Sequence, residues 1–183
     1  MKEKVLHIHK ELIENSKSGN RNAQYKLYKL YVDAMFNVAM RMVKIKQDAE
    51  DIIQDSFIEA FKNLKAYRYE STFGAWLKRI VVNKSINHLK IKKIPIVPIE
   101  QELYKITDDE IEYNPDTLDI NKVIKAIKLL PAGFQQIVNL YLIEGYDHVE
   151  IGEILGIATA TSKSQYHRAK KKIIKLMNEL SNG

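Results

Sequence analysis

Residues 147–177 read DHVEIGEILGIATATSKSQYHRAKKKIIKLM, and much of the chain's organisation follows from this stretch. Asp147 is a good helix N-cap. Glu150, three residues on, completes the spacing of a capping box, in which two side chains satisfy each other's backbone N–H groups. The pattern predicts a short helix with Val149, Ile151, Ile154 and Leu155 turned inward, stopped by Gly156, which takes positive φ without a Cβ penalty. Ile157 is then an apolar plug in the turn, and Thr159 the cap of a second helix. In that helix Ser162, Tyr166, Ala169, Ile173, Leu176 and Leu180 recur in steps of four and three, the period of one buried stripe. Ala160, Ser164, His167, Arg168, Lys171 and Lys175 fall on the opposite side. Two short helices joined at a glycine turn, the second with a basic outer face, make a helix-turn-helix with a DNA-reading helix. A plain helical hairpin with a solvated lysine face is the competing reading. A basic run alone would favour it; the glycine, plug and cap together favour DNA.

The remaining sequence is of the same kind. Its 183 residues, 45% hydrophobic and 28% charged, suit an ordered globular protein of one large or two small domains. Seven glycines and four prolines beside long periodic stretches predict an all-α chain. Cysteine is absent, which excludes disulfides, a thiolate zinc site and a cysteine nucleophile. His7, His9, His88, His148 and His167 are scattered without metal-binding spacing, and no phosphate-cradling glycine loop or nucleophile elbow occurs. No enzyme activity, metal or cofactor is therefore expected. No apolar run approaches a membrane span, and the N-terminal MKEKVLHIHK lacks a signal-peptide core, so a cytoplasmic protein without membrane insertion is expected.

Charge is unevenly spread. Residues 1–94 carry a net +9, residues 95–121 a net −7 and residues 122–183 a net +4. Two basic bodies joined by an acidic tether suggest two surfaces on one polyanion, with the tether lying elsewhere.

Within the first body a short helix over 5–17 packs Leu12 and Ile13. A second runs from about Asn22 to Val43 with Ala23, Leu27, Leu30, Tyr31, Ala34, Val38 and Met42 inward. Asp48 is placed to cap a third helix, in which Ala49, Ile52, Ile53, Ser56, Phe57, Ala60, Phe61 and Leu64 follow helical steps. Its other face shows Asp51, Gln54, Asp55, Ile58 and Lys62: solvated surface, or the charged ring around an apolar residue that protein partners use. The loop KAYRYEST follows, then the helix FGAWLKRIVVNKSINHLK, capped by Ser71 or Thr72. Phe73, Trp76, Leu77 and Ile80 point inward, while Lys78, Arg79, Asn83, Lys84, Asn87 and Lys90 supply cations and amides. Aromatics beside a basic, amide-bearing helix suit unpaired bases; alternatively Tyr67 and Tyr69 only cover helix ends. Pro95, Pro98, Pro115 and the acids of 108–112 mark a linker. A helix over 118–130, with Ile120, Val123, Ile124, Ile127 and Leu130 on one side, and another over 134–143 complete a four-helix C-terminal body.

The segments DAEDIIQDSFIEAF (48–61), FGAWLKRIVVN (73–83) and LPAGFQQIVNLYLIEGYDHVEIGEILGIATATSKSQYHRAKKKI (130–173) resemble the ECF (extracytoplasmic-function) sigma factors, bacterial initiation factors reduced to sigma regions 2 and 4. The resemblance implies a domain division of 1–94, an acidic linker 95–117, and 118–183. It implies that Asp51, Gln54, Asp55 and Ile58 dock on the clamp coiled coil of core RNA polymerase, with the flap as a further contact. Lys65, Tyr67, Arg68, Arg79, Asn83 and Lys84 would serve the melted minus-ten element, a flipped base going to Tyr67 and its loop. Thr161, Lys163, Ser164, His167, Arg168 and Lys171 would meet the minus-thirty-five duplex. The linker would thread the polymerase's RNA path, and an anti-sigma protein would be a further partner. Two departures stand out: Ile157-Ala158-Thr159-Ala160-Thr161 lacks the family's acidic helix-start residue, and Gly152 replaces a usual alanine, at a helix-propensity cost of about 1 kcal/mol. A regulator binding duplex DNA independently of polymerase is the alternative; it would need dimer symmetry or tandem readers.

Overall fold

A computed structural model describes residues 8–97 and 119–181. Every regular element among them is helical, as the glycine-poor periodic sequence predicts. The chain divides into two compact units, Met1–His88 and Leu89–Gly183, the division falling near the end of a helix. The proline- and acid-rich stretch from Pro98 to Asp116 lies outside the described residues.

The first unit comprises α1 (Lys10–Lys17), α2 (Arg21–Val43), α3 (Lys46–Lys62), a 3-10 turn (Leu64–Ala66) and α4 (Phe73–Ile91). Asn20 caps α2, its side chain accepting the Ala23 N–H at 3.0 Å. The buried face of α2 departs from expectation. Leu27, Val38 and Met42 are inside, but Leu30 and Ala34 are exposed, and Met35 and Ala39 are buried instead. Buried Leu27, Met35 and Ala39, with half-buried Tyr31 between them, make an i, i+4 ridge, which is how a helix sandwiched by neighbours interdigitates. On α3 the apolar stripe is as read: Ala49, Ile52, Ile53, Ser56, Phe57 and Ala60 are buried, and Phe57 meets Tyr28 edge to face with centroids 4.8 Å apart.

Asp48 is not the cap of α3. The helix begins earlier, at Lys46, with Ile45 in the cap position, so Asp48 sits in the first turn, nearly buried. Its Oδ2 lies 3.0 Å from His88 Nε2 on α4, off the line of a well-directed hydrogen bond but close enough to attract a protonated imidazole. Thr72 rather than Ser71 caps α4, its Oγ1 accepting the Ala75 N–H at 3.2 Å.

The second unit comprises α5 (Ile120–Leu129), α6 (Ala132–Val138) running into a π turn (Asn139–Ile143), α7 (His148–Leu155) and α8 (Thr159–Glu179). Its core joins Ala126, Leu130, Phe134 and Val138 to Ala169, Ile173 and Met177 of α8. Ile120 and Ile124, expected inward, are exposed: α5 docks through the Val123, Ala126, Ile127 side, one helical step round. The buried Gln135 amide donates to the carbonyls of Lys128 and Leu130, both at 2.7 Å, satisfying acceptors that the end of α5 would otherwise leave open.

Around the turn, the capping box is present. Asp147 Oδ1 accepts from the N–H groups of Val149 (2.8 Å) and Glu150 (2.9 Å), and Glu150 Oε2 accepts from Asp147 N–H at 3.0 Å. Gly156 closes α7 at φ 73°. Val149 is 56% exposed rather than inward. Thr159 is the first residue of α8 and not its cap; Ala158, with extended backbone and no capping side chain, holds that position. Gly152 does more than lower helix propensity. Its carbonyl accepts from both Gly156 N–H (2.8 Å) and Ile157 N–H (3.0 Å), and a Cβ on it would stand 2.8 Å from the Ile157 carbonyl oxygen. The turn folds back onto α7 at a distance that excludes any side chain there.

Candidate partner and nucleic-acid interfaces

Helix α3 turns Asp51, Gln54, Asp55 and Ile58 to solvent together, while the stripe behind them is buried. Ile58 is 53% exposed, an apolar residue amid two carboxylates and an amide. Since the buried stripe already anchors the helix, this outer face is not needed for folding.

Beyond α3 the loop to α4 shapes a concavity of about 350 Å³ lined by Ala66, Tyr67, Arg68, Glu70, Ser71 and Trp76. That is near the low end of the size range of small-molecule sites, about 300–1,000 Å³. Tyr67 differs from its expected role as the stacking platform. It is only 3% exposed, its ring packed with Phe73 (5.8 Å), Trp76 (5.3 Å) and Tyr69 (4.7 Å), and its hydroxyl donates to the Ser71 carbonyl at 2.7 Å. The Tyr67 ring is thus packed into this cluster, within the loop that bounds the concavity. Burial pushes its phenol pKa up, with Tyr31 adding to the effect. Trp76, half-buried on the wall, offers the aromatic surface that sequence reading placed only in the core.

Tyr69 takes positive φ (63°), a left-handed conformation that costs a non-glycine residue on the order of 1 kcal/mol. Its hydroxyl donates to Glu14 Oε1 on α1 at 2.6 Å. Lys17 Nζ donates to the same carboxylate oxygen at 3.0 Å and to the Tyr67 carbonyl at 3.1 Å, and stands 4.6 Å from the Tyr69 ring centroid. The Tyr69 hydrogen bond, then Lys17, hold the Glu14 carboxyl below its ordinary pKa; burial and then the Glu14 hydrogen bond raise that of Tyr69 far above the usual phenol value.

Of the remaining minus-ten expectations, Lys65, Arg68, Arg79 and Asn83 are exposed. Lys84 is engaged by Glu59 at 2.8 Å, which draws its charge toward α3.

On α8, Lys163, Ser164 and His167 are exposed and Thr161, Arg168 and Lys171 half-buried, all outside the buried row Ser162, Gln165, Ala169, Ile173, Met177. Leu180, expected within that row, is partly exposed past the end of the helix. Ser162 Oγ meets His148 Nδ1 at 2.9 Å, and the His148 ring stacks on Tyr141 with centroids 4.5 Å apart and planes 14° from parallel. Burial first, and Lys163 second, lower the His148 pKa against the opposing pull of Asp147. This contact ties α7 to the first turn of α8 and fixes where the basic face emerges.

These features converge with what comparison with known proteins finds. The sigma-70 region 2 model matches residues 27–93, and the sigma-70 region 4 model matches residues 120–173. Relatives include the ECF RNA polymerase sigma factor SigW of Bacillus subtilis, 27% identical over 93% of this chain and 97% of that protein. Another is the ECF sigma factor SigM of Mycobacterium tuberculosis, 27% identical over 94% of this chain and 86% of its own length. The fold is shared with the sigma factor RpoE of Bartonella quintana, solved with the anti-sigma factor NepR: TM-score 0.54, 21% identity, 84% of this chain and 96% of that one. The chain belongs to the ECF sigma-factor family. It is a transcription initiation factor that binds core RNA polymerase and directs it to promoter DNA, not a regulator acting apart from polymerase. Sigma factors are non-enzymatic regulatory proteins. Among the described residues, no helix is long and apolar enough to cross a membrane.

Proposed function

We propose that the two units divide promoter recognition between them, with domains at 1–94 and 118–183 and a linker at 95–117. Asp51, Gln54, Asp55 and Ile58 dock on the polymerase clamp coiled coil. The concavity beside Arg68 and Trp76 receives an unpaired base of the minus-ten element as that element melts, with Lys65, Arg79 and Asn83 at the backbone. Thr161, Lys163, Ser164, His167, Arg168 and Lys171 meet the minus-thirty-five duplex in the major groove. The observation that carries this reading is the α3 face. It gathers two carboxylates, an amide and an exposed isoleucine on the side of the helix that folding does not use. Such a face fits a protein partner better than a polyanion, since carboxylates repel phosphates. A cytoplasmic location follows from the need to meet polymerase and DNA together. The relatives solved with anti-sigma factors support a similar partner for this chain.

The test is transcription by core polymerase on a random promoter library, with and without the protein. The expected outcome is protein-dependent transcripts sharing two spaced motifs. Tight duplex binding without core, and no new transcripts, would support an independent regulator instead. In the same assay, replacing Asp108 and Asp109 by Asn and Glu110 by Gln is expected to impair open complexes or early RNA synthesis with promoter choice unchanged. Altered promoter choice would mean that the linker reads DNA.

A further inference from the structure

Helix α1 lies upstream of the region 2 match, which begins at residue 27, and none of the interfaces above draws on it. Yet two of its side chains reach into the loop that shapes the concavity. Glu14 accepts from the Tyr69 hydroxyl at 2.6 Å across 55 residues of chain. Lys17, only 17% exposed, donates to Glu14 and to the Tyr67 carbonyl across 50 residues, and lies over the Tyr69 ring. Lys10 adds a second cation 5.8 Å from that ring.

The arrangement goes beyond a surface ion pair. Tyr69 sits in a backbone conformation that side-chain-bearing residues avoid, and such a conformation persists only where its surroundings over-determine it. The surroundings include a charge-assisted hydrogen bond, the Lys17 and Lys10 cations near the ring, and the Tyr67 ring, tilted against it with centroids 4.7 Å apart. Tyr69 does not line the concavity, whereas its neighbours Arg68 and Glu70 on either side do. Turning Tyr69 out of this conformation would redirect both of them.

We propose that Glu14 and Lys17 are positioning residues for minus-ten recognition: they lock Tyr69, and through it the loop from Tyr67 to Ser71, in the shape that keeps the concavity ready for an unpaired base. The proposal rests on the reading of that concavity as the base site. Pre-organising the loop means that its ordering cost is met on folding and not on DNA binding.

The experiment uses holoenzyme and a single-stranded minus-ten oligonucleotide with a fluorescent base analogue at each position in turn. Glu14→Ala and Lys17→Met are each expected to weaken oligonucleotide binding about 5- to 20-fold, within the range of couplings in one hydrogen-bond network, while affinity for core polymerase is unchanged. Glu14→Gln keeps an acceptor for the Tyr69 hydroxyl and is expected to lose less. Tyr69→Phe in the Glu14→Ala background should add almost nothing, because the two residues act as one unit. Ser16→Ala is the control. Its buried hydroxyl donates to the Leu12 carbonyl within α1, so its removal should lower the melting temperature without altering oligonucleotide binding. Wild-type binding by Glu14→Ala and Lys17→Met, with Arg68→Ala defective, would overturn the lock and leave the base site standing. Wild-type binding by Arg68→Ala as well would remove the base site and the lock together. Binding losses that track melting temperature, Ser16→Ala included, would reduce α1 to a structural role and also overturn the proposal.

Discussion

Asp147, Gly152 and Gly156 build the helix-turn-helix with backbone partners no more than five residues away, whereas Tyr69 is held by a carboxylate 55 residues upstream. Both places bend the chain sharply and both use a positive φ, at Gly156 (73°) and at Tyr69 (63°). In the second unit the residue itself removes the strain, since glycine has no Cβ. In the first, a tyrosine bears the strain and distant side chains hold it there. A turn built locally is set as soon as its helices form; a turn built by remote contacts depends on the whole unit around it. The first kind suits a rigid reader of duplex DNA, and the second would suit the base site proposed for the loop.

The comparison can be tested by substitution. The largest effect is expected on the α3 face, which is local in origin like the turn. Asp51→Lys with Asp55→Lys should lower core-polymerase affinity by about 100-fold or more, since like-charge juxtaposition at an interface costs several kcal/mol. Chemical unfolding should be nearly unchanged, because neither carboxylate is buried. Wild-type core affinity in a folded double variant would remove this face from the docking surface. Next in size is Gly152→Ala. Propensity alone would make it stabilising by about 1 kcal/mol, but the Cβ would press on the Ile157 carbonyl at 2.8 Å. A net loss of about 1–3 kcal/mol in denaturant unfolding is expected, the usual cost of overpacking. A gain would show that the turn tolerates displacement and is less rigid than argued.

On α8 the expected effects are similar in size but differ in kind. Arg168→Ala should weaken promoter binding by about 1–3 kcal/mol and relax preference at one minus-thirty-five position. Lys171→Ala should weaken all sequences alike and reduce the salt slope by about one. Binding by holoenzyme across minus-thirty-five variants at several salt concentrations separates these outcomes; equal loss on every variant would make Arg168 a phosphate anchor. The smallest effect concerns the His148–Ser162 contact. A histidine whose folded pKa lies below the usual value of about 6.5 contributes stability above that pH and loses it as the pH falls through the folded pKa. Wild-type protein should therefore lose more stability than His148→Gln between pH 7.5 and 5.5, by unfolding at both pH values. Equal losses would show that the imidazole is not held neutral.

Several features were legible before any coordinates because each is settled within a few residues. The all-helical class, the α3 stripe, the capping box and the Gly156 stop depend on period, side-chain reach and backbone freedom, properties carried by neighbouring residues. The outward faces of α3 and α8 followed for the same reason: once a buried stripe is known, its opposite side is known too. What the tertiary structure decided is where neighbours compete for a residue. Leu30 and Val149 carry the right apolar character but no element covers them, while Met35 and Ala39 take the buried row of α2. Asp48 could have capped a helix, and became a buried partner of His88 because α3 starts earlier and α4 crosses there. Tyr67 had the chemistry to stack a base, and was enclosed by Phe73, Trp76 and Tyr69. No local signal links Glu14 to Tyr69. Hydrogen bonding falls off within a few ångströms, and only the folded unit brings residues so far apart in sequence within that range.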